Sequence, residues 1–146
     1  MRMHGDADVS NSHVASNARV AYQTDMHTVI ETPMYLRHVR ENGLDDAEEE
    51  DIVSLVAADP TAGDLMVGTG GARKLRVAGR GKGKSGGYRV IHYFAAKDVP
   101  VFLLALFGKG RPTNLTQAQR NDLAAMLPQI SEAYRKSIQK HEEPTK

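Results

Sequence analysis

The chain contains no cysteine among its 146 residues. Disulfides and thiolate zinc sites are therefore excluded. No apolar run approaches the roughly 20 residues that cross a bilayer, and the longest one, VPVFLLALFG, is typical of a buried strand. The amino end also lacks the apolar core of a secretory signal, so we expect a cytoplasmic protein that does not insert into membranes.

Acidic residues are absent between Asp64 and Asp98, although the net charge of the whole chain is only +1. The acids crowd instead into residues 41–51, ENGLDDAEEED. Charge segregated in this way produces a local positive field that the near-zero total conceals. This acid-free stretch is a candidate surface for a polyanion, and its cations are Arg73, Lys74, Arg76, Arg80, Lys82, Lys84, Arg89 and Lys97.

Residues 78–85, AGRGKGKS, fit the pattern of a nucleotide phosphate loop. That loop requires a helix directly after it, because the helix amino end holds the phosphates. Here Gly86 and Gly87 read as a turn, and YRVIHYF favours a strand. We interpret the segment as a basic loop that follows a nucleic-acid backbone by charge, with a solvated hairpin as the alternative. The residues concerned are Arg80, Lys82, Lys84 and Ser85.

Two short helices are predicted near the amino end, after a short strand in HTVIET. Thr32 and Pro33 are typical of a helix start, and Gly43 can end that helix. Asp45 and Glu48 have the spacing of a capping box for the next one. Helices joined by so few residues form a hairpin.

Periodicity then changes from helical to alternating. In RKLRVAG, Leu75 and Val77 fall on one face of a strand, and Lys74 and Arg76 fall on the other. GYRVIHYFAA and VPVFLLALFG follow as two further strands with short links. Consecutive strands with short links are antiparallel, so the pattern predicts a three-stranded meander.

A closing helix follows, with Thr116 and Gln119 as its capping box and a kink or break expected near Leu127 because of Pro128. The chain divides into a disordered extension over residues 1–26, one domain over 27–140, and a frayed tail over 141–146.

The order of these elements, with the cations on the second and third strands, resembles the RelE/ParE superfamily of bacterial toxins and is closest to its HigB-like branch. The resemblance lies in GTGGARKLRVAGRGKGKSGGYRVIHYF (68–94) and LLALFGKGRPTNLTQAQRNDL (103–123). It implies an α+β fold in which an amino-terminal helical hairpin packs on a small twisted antiparallel sheet of about four strands, with a carboxyl-terminal helix.

Such toxins are typically ribosome-dependent messenger-RNA endonucleases, or mRNA interferases, so the implied partners are the ribosome, mRNA and a cognate HigA-like helix-turn-helix antitoxin. The family motif carries over to Lys74, Arg76 and Arg89. The basic end of the last strand corresponds to Lys109 and Arg111. One departure is that RelE-like members often carry a tyrosine or histidine beyond that strand, where this chain has 114–115, Asn-Leu.

Cleavage of RNA by its own 2′-hydroxyl needs a proton acceptor, a proton donor and positive charge at the phosphate. A lysine among other cations can serve as the acceptor. We therefore predict Lys74 as base, with Arg76 and Arg89 stabilising the phosphate. Tyr93 shares the Arg89 face and completes the catalytic set, with a core position as its alternative. The predicted RNA-binding set is Arg73, Arg80, Lys82, Lys84, Ser85, Lys109 and Arg111.

Two other functions remain open on the sequence. One is a ParE-like inhibitor that binds DNA gyrase, and the other is an RNA-binding module without catalysis. The dense cations favour RNA cleavage, because a protein-binding inhibitor has no evident need of them. The histidines show no metal-ligand spacing, so neither a metal nor another cofactor is expected.

Overall fold

The computed structural model describes residues 19–22, 27–79, 87–108 and 115–142, with side chains described from residue 27 to residue 139 of these ranges. Its elements, in chain order, are β1 (Arg19–Tyr22), β2 (Val29–Glu31), α1 (Pro33–Glu41), α2 (Asp46–Ala58), β3 (Asp64–Leu65), β4 (Ala72–Val77), β5 (Tyr88–Tyr93), β6 (Val101–Phe107) and α3 (Gln117–Glu142).

The strands of the described ranges form one sheet in the order β1-β2-β6-β5-β4-β3. The predicted meander β4-β5-β6 is antiparallel throughout. Strand β2, however, pairs with β6 in parallel. The α+β class with a carboxyl-terminal helix is confirmed, but the sheet is mixed and has two short edge strands beyond the expected four, β1 and β3. Parallel strands need a long connection between them, and here the helical hairpin and the strands β3 to β5 form the connection from β2 to β6.

The helix ends follow the predicted capping chemistry. The Thr32 side chain accepts a hydrogen bond from the backbone of α1, and Gly43 adopts φ +69° just beyond its end. Asp45 and Glu48 form a reciprocal capping box at α2, with the Glu48 backbone N–H donating to Asp45 Oδ1 at 2.8 Å. These carboxylates accept hydrogen bonds from free N–H groups and interact favourably with the helix dipole, which explains part of the concentration of acids in residues 41–51.

The sheet has a core on each face. Helices α1 and α2 cover one face through Tyr35, Ile52 and Val56, which pack with Val90 and Leu103. Helix α3 covers part of the other face. There Leu127 is fully buried in a cluster with Ile91, Tyr93 and Phe102. The sheet therefore lies between the helical hairpin and α3, and only a part of the α3 side remains for a binding surface.

The amino-terminal extension and the closing helix also differ from the sequence expectations. Residues 19–22 were expected in a disordered extension but pair with β2 as strand β1, because the pairing supplies hydrogen-bond partners for the outer edge of β2. Helix α3 runs continuously past Pro128, so of the predicted kink or break the break is absent, and a proline removes only one backbone hydrogen bond from so long a helix. Among the described helices, none is long and apolar enough to cross a membrane.

Candidate nucleic-acid interface

Lys74, Arg76 and Arg89 lie on one face of the sheet, and we call these three residues the cationic face. Side chains alternate along β4, so Leu75 and Val77 pack into the core of the helical hairpin while Lys74 and Arg76 project to the opposite side. Arg89 is the direct cross-strand partner of Arg76, and direct partners project to the same side. The strand register therefore places these three cations on one surface, as the sequence predicted.

Cross-strand pairing arranges this side of the sheet in three rows. The first joins Ala72, Tyr93 and Phe102, the second joins Lys74, Ile91 and Ala105, and the third joins Arg76, Arg89 and Phe107. A register shift between Ile91 and His92 lets the rows continue across β6.

Exposure increases from the first row to the third. Ala72, Tyr93 and Phe102 are buried beneath α3. In the third row Arg76 is exposed and Arg89 is half-buried. The arginine pair therefore occupies the end of the α3 side of the sheet that α3 leaves uncovered, and the half-buried Lys74 lies in the row between this end and the residues beneath α3.

The contacts between the three cations follow from sheet geometry. Arg76 and Arg89 are direct partners, which puts their Cβ atoms about 5 Å apart, whereas Lys74 and Arg89 are diagonal partners at about 7 Å. Lys74 therefore faces Ile91 directly and lies diagonal to Arg89. The three positive groups are still close enough to contact neighbouring oxygens of one phosphate or of two successive phosphates.

Arg73 does not belong to the cationic face. It lies opposite His92 on the other side of the sheet, and its guanidinium donates to the Gly63 carbonyl at 3.2 Å. Arg73 is therefore separated from the three cations, and its assignment to RNA binding stays a prediction. Strict alternation along β4 would have separated Arg73 from Lys74.

Tyr93 shares the side of Arg89 but is covered by α3. It is 6% exposed, and its hydroxyl accepts a hydrogen bond from Ser131 Oγ at 3.2 Å. A side chain so placed is a core residue, because a buried tyrosine hydroxyl takes a partner within the protein. Its assignment to the catalytic set is corrected, and the alternative of a core position fits the structure.

His92 is fully buried on the side of the helical hairpin. Its Nε2 donates to the Ala62 carbonyl at 2.8 Å, and Nδ1 has no hydrogen-bond partner. Burial lowers the pKa of His92, and the nearby Arg73 charge lowers it further, against the opposing effects of the Ala62 carbonyl and Asp59. The neutral His92 side chain therefore links β5 to the segment that precedes β3 through this hydrogen bond.

The remaining RNA-binding candidates lie outside the described residues, namely Arg80, Lys82, Lys84, Ser85, Lys109 and Arg111. The sequence alone did not single out Asp64, which pairs with Lys74 across β3 and β4. It also did not single out Phe107, which pairs with Arg89. Phe107 could have been recognised from the sequence, since it is the last residue of β6 and alternation along that strand places it on the side of the sheet that carries Arg89. The two-residue strand β3 offers no alternation to read.

No group of three or more histidine, cysteine, aspartate or glutamate side chains is placed to hold a metal ion among the described residues. The cationic face itself offers only positive donors, which bind oxyanions rather than metals. The arrangement can therefore bind phosphate groups and stabilise negative charge that develops on them.

A family model described as the RelE toxin of the RelE/RelB toxin-antitoxin system matches residues 27–144. The chain belongs to the RelE toxin family. A toxin of this family implies a cognate antitoxin as its partner. Among solved structures, the chain is similar to a double arginine-to-alanine mutant of the E. coli toxin RelE in the free state. The two chains are 17% identical, and the similarity covers 79% of this chain and 97% of the other with a TM-score of 0.41.

Proposed function

We propose that this RelE-family toxin inhibits translation by cutting messenger RNA on the ribosome. The single observation that carries the proposal is the cationic face, where three cations from two adjacent strands project to one side of the sheet and the arginine pair lies at the end that α3 leaves uncovered. Two like charges at directly opposite strand positions, Arg76 and Arg89, are unfavourable for stability by themselves, which supports a role in binding an anion.

The proposed chemistry is attack of the 2′-oxygen on the adjacent phosphorus. The bond to the 5′-oxygen breaks, leaving a 2′,3′-cyclic phosphate and a 5′-hydroxyl. Negative charge builds up on the phosphate oxygens as five oxygens crowd around phosphorus. Arg76 and Arg89 offer planar forks of N–H donors for those oxygens, and Lys74 adds a compact charge beside them.

Dependence on the ribosome is supported by the shape of the surface. The cations project from a sheet surface near one end of β4 and β5. Such a surface does not by itself bend an RNA strand so that the 2′-oxygen, the phosphorus and the 5′-oxygen lie in line, as the cleavage reaction needs. Holding the reacting atoms in line is worth several orders of magnitude in rate. We propose that the decoding site holds the message bent while the toxin supplies the charged groups.

The partner under this proposal is a HigA-like helix-turn-helix antitoxin, in keeping with the HigB-like pattern of residues 68–94 and 103–123. Neutralisation requires the antitoxin to cover the cationic face or to hold it away from the message. Acidic side chains on the antitoxin would meet Arg76 and Arg89 directly.

The experiment is addition of purified protein to a bacterial translation extract, with message ends mapped by primer extension. We expect new ends only when ribosomes are present, and none with naked RNA. The Lys74→Ala/Arg89→Ala double variant should produce none. The Arg37→Ala/Arg40→Ala variant removes two exposed cations from α1, behind the sheet, and should cut normally. An intact message together with inhibited supercoiling by DNA gyrase would contradict the proposal.

A further inference from the structure

Strand β3 brings a carboxylate to the cationic face. Asp64 is the direct antiparallel partner of Lys74, so the two side chains project to the same side with Cβ atoms about 5 Å apart. Asp64 is exposed, and Lys74 is half-buried. An anionic acceptor and a cationic donor therefore stand side by side next to the arginine pair.

The position of Asp64 is fixed by close backbone packing. Gly63 adopts φ +91°, and a Cβ atom there would lie 2.5 Å from the Lys74 carbonyl oxygen, so only glycine allows this approach to β4. On the other side of Asp64, the Met66 backbone N–H donates to the Ala72 carbonyl at 2.9 Å. These contacts hold Asp64 in register with Lys74.

Two side chains from the opposite side of the sheet hold the segment before Asp64. Arg73 donates to the Gly63 carbonyl at 3.2 Å, and His92 donates to the Ala62 carbonyl at 2.8 Å. A charged side chain and a fully buried one thus bind the two carbonyls that precede Asp64. So many contacts on a two-residue edge strand go beyond what a connecting loop needs, and they fit a carboxylate that must be held in place.

We propose that Asp64 accepts the proton of the 2′-hydroxyl in the cleavage reaction, an inference that rests on the proposed function. The proton moves to an Asp64 carboxylate oxygen as the 2′-oxygen forms its bond to phosphorus. The 5′-oxygen leaves with the bonding electrons and takes a proton from the Lys74 ammonium or from water. Lys74 then acts as a positive group at the phosphate, in place of the role of base predicted from the sequence. Arg73 and His92 act as positioning residues for Asp64.

The test is single-turnover cleavage on programmed ribosomes by Asp64→Asn, which keeps the shape of the side chain and removes the acceptor charge. General base catalysis is worth about 10²–10⁴-fold, so we expect a loss in that range in the cleavage rate with unchanged affinity for the ribosome. Asp46→Asn is the matched control, because it removes an exposed carboxylate from the start of α2 on the other side of the sheet. It should cleave normally.

Chemical rescue separates proton transfer from a structural role. Asp64 is exposed, so added formate can reach the space that Asp64→Ala leaves. We expect formate to restore part of the cleavage by Asp64→Ala and to leave Lys74→Ala/Arg89→Ala inactive. Thermal unfolding of each variant checks that the fold is intact.

The outcomes distinguish this inference from the proposed function. Wild-type cleavage with a dead Lys74→Ala/Arg89→Ala variant and a fully active Asp64→Asn variant would overturn the role of Asp64 alone. A loss in Asp64→Asn that appears equally in ribosome affinity, or that formate does not restore in Asp64→Ala, would overturn it as well. If wild-type protein leaves ribosome-bound message intact, both proposals fail.

Discussion

Arg76 lies directly opposite Arg89 in the β4–β5 register, so two guanidinium groups project side by side from one face of the sheet. Like charges at directly opposite positions destabilise a pair of strands. The fold therefore tolerates a repulsion that an arriving phosphate would relieve. Under the proposed function, phosphate binding accounts for an arginine at both positions.

Replacing Arg76 by alanine should separate stability from activity. Removing the repulsion should raise the free energy of unfolding by about 0.2–1 kcal/mol, while cleavage falls about 10²-fold because one phosphate donor is lost. Urea denaturation and the extract assay measure the two effects. Arg40→Ala, an exposed cation in the last turn of α1, should lower stability slightly and leave cleavage unchanged. Loss of both stability and activity in Arg76→Ala would contradict this account.

Tyr93→Phe tests the reassignment of Tyr93 to the core. The variant loses the hydrogen bond from Ser131 Oγ, so we expect a decrease of about 1 kcal/mol in the free energy of unfolding and full cleavage. A double-mutant cycle with Ser131→Ala should give a coupling energy above about 0.5 kcal/mol. Normal stability with lost cleavage would return Tyr93 to the catalytic set.

Substitution of Gly70 tests whether α3 packs closely on the turn before β4. Gly70 has φ +80°, and a Cβ atom there would lie 3.1 Å from the Ala124 Cα in α3. Gly43 has a similar φ of +69° and nothing within 4 Å. Gly43→Ala should therefore cost about 1 kcal/mol for backbone strain alone. Gly70→Ala should cost about 1 kcal/mol more, since α3 must shift. Equal losses in urea denaturation would show that α3 does not pack on Gly70.

His92 makes stability depend on pH in a defined direction. Its pKa is lowered from the ordinary 6.5, so the unfolded chain binds a proton more readily than the folded protein. Stability is full above about pH 6.5 and falls as the pH decreases toward the folded pKa, by about 1.4 kcal/mol for each unit of lowering.

The measurement compares urea denaturation of wild type and His92→Asn at pH 8 and pH 5. The variant should be less stable at pH 8 by about 1–3 kcal/mol, because the Ala62 carbonyl loses its donor. The difference should shrink at pH 5, because the variant has no imidazole to protonate. A constant difference between the two pH values would be inconsistent with a buried, neutral His92.

Much of the fold follows from local signals in the sequence. The capping residues Thr32, Asp45 and Thr116 mark helix starts because they satisfy backbone N–H groups that any helix leaves free. Alternation along β4 and β5 predicts the cationic face, since a core position for Leu75 and Val90 puts Arg76 and Arg89 on the opposite side.

Other features depend on contacts that no short window contains. The parallel pairing of β2 with β6 joins residues about 70 positions apart, such as Val29 and Val101. Asp64 becomes a partner of Lys74 only because a glycine turn folds β3 back onto β4. The burial of Tyr93 was equally unreadable, because strand alternation defines a side of the sheet and says nothing of which part of that side a distant helix covers.

The central place of β6 has a consequence for how the toxin is made. Val29 and Ile30 acquire their strand partner only when residues 101–102 have been synthesised, so the helical hairpin has no completed sheet to pack on before then. A chain that is still growing, or one that ends early, exposes the apolar inner sides of the hairpin to chaperones and proteases. Completion of the sheet therefore waits until at least residue 102 of 146 has been synthesised, and only then can the apolar sides of the hairpin be covered.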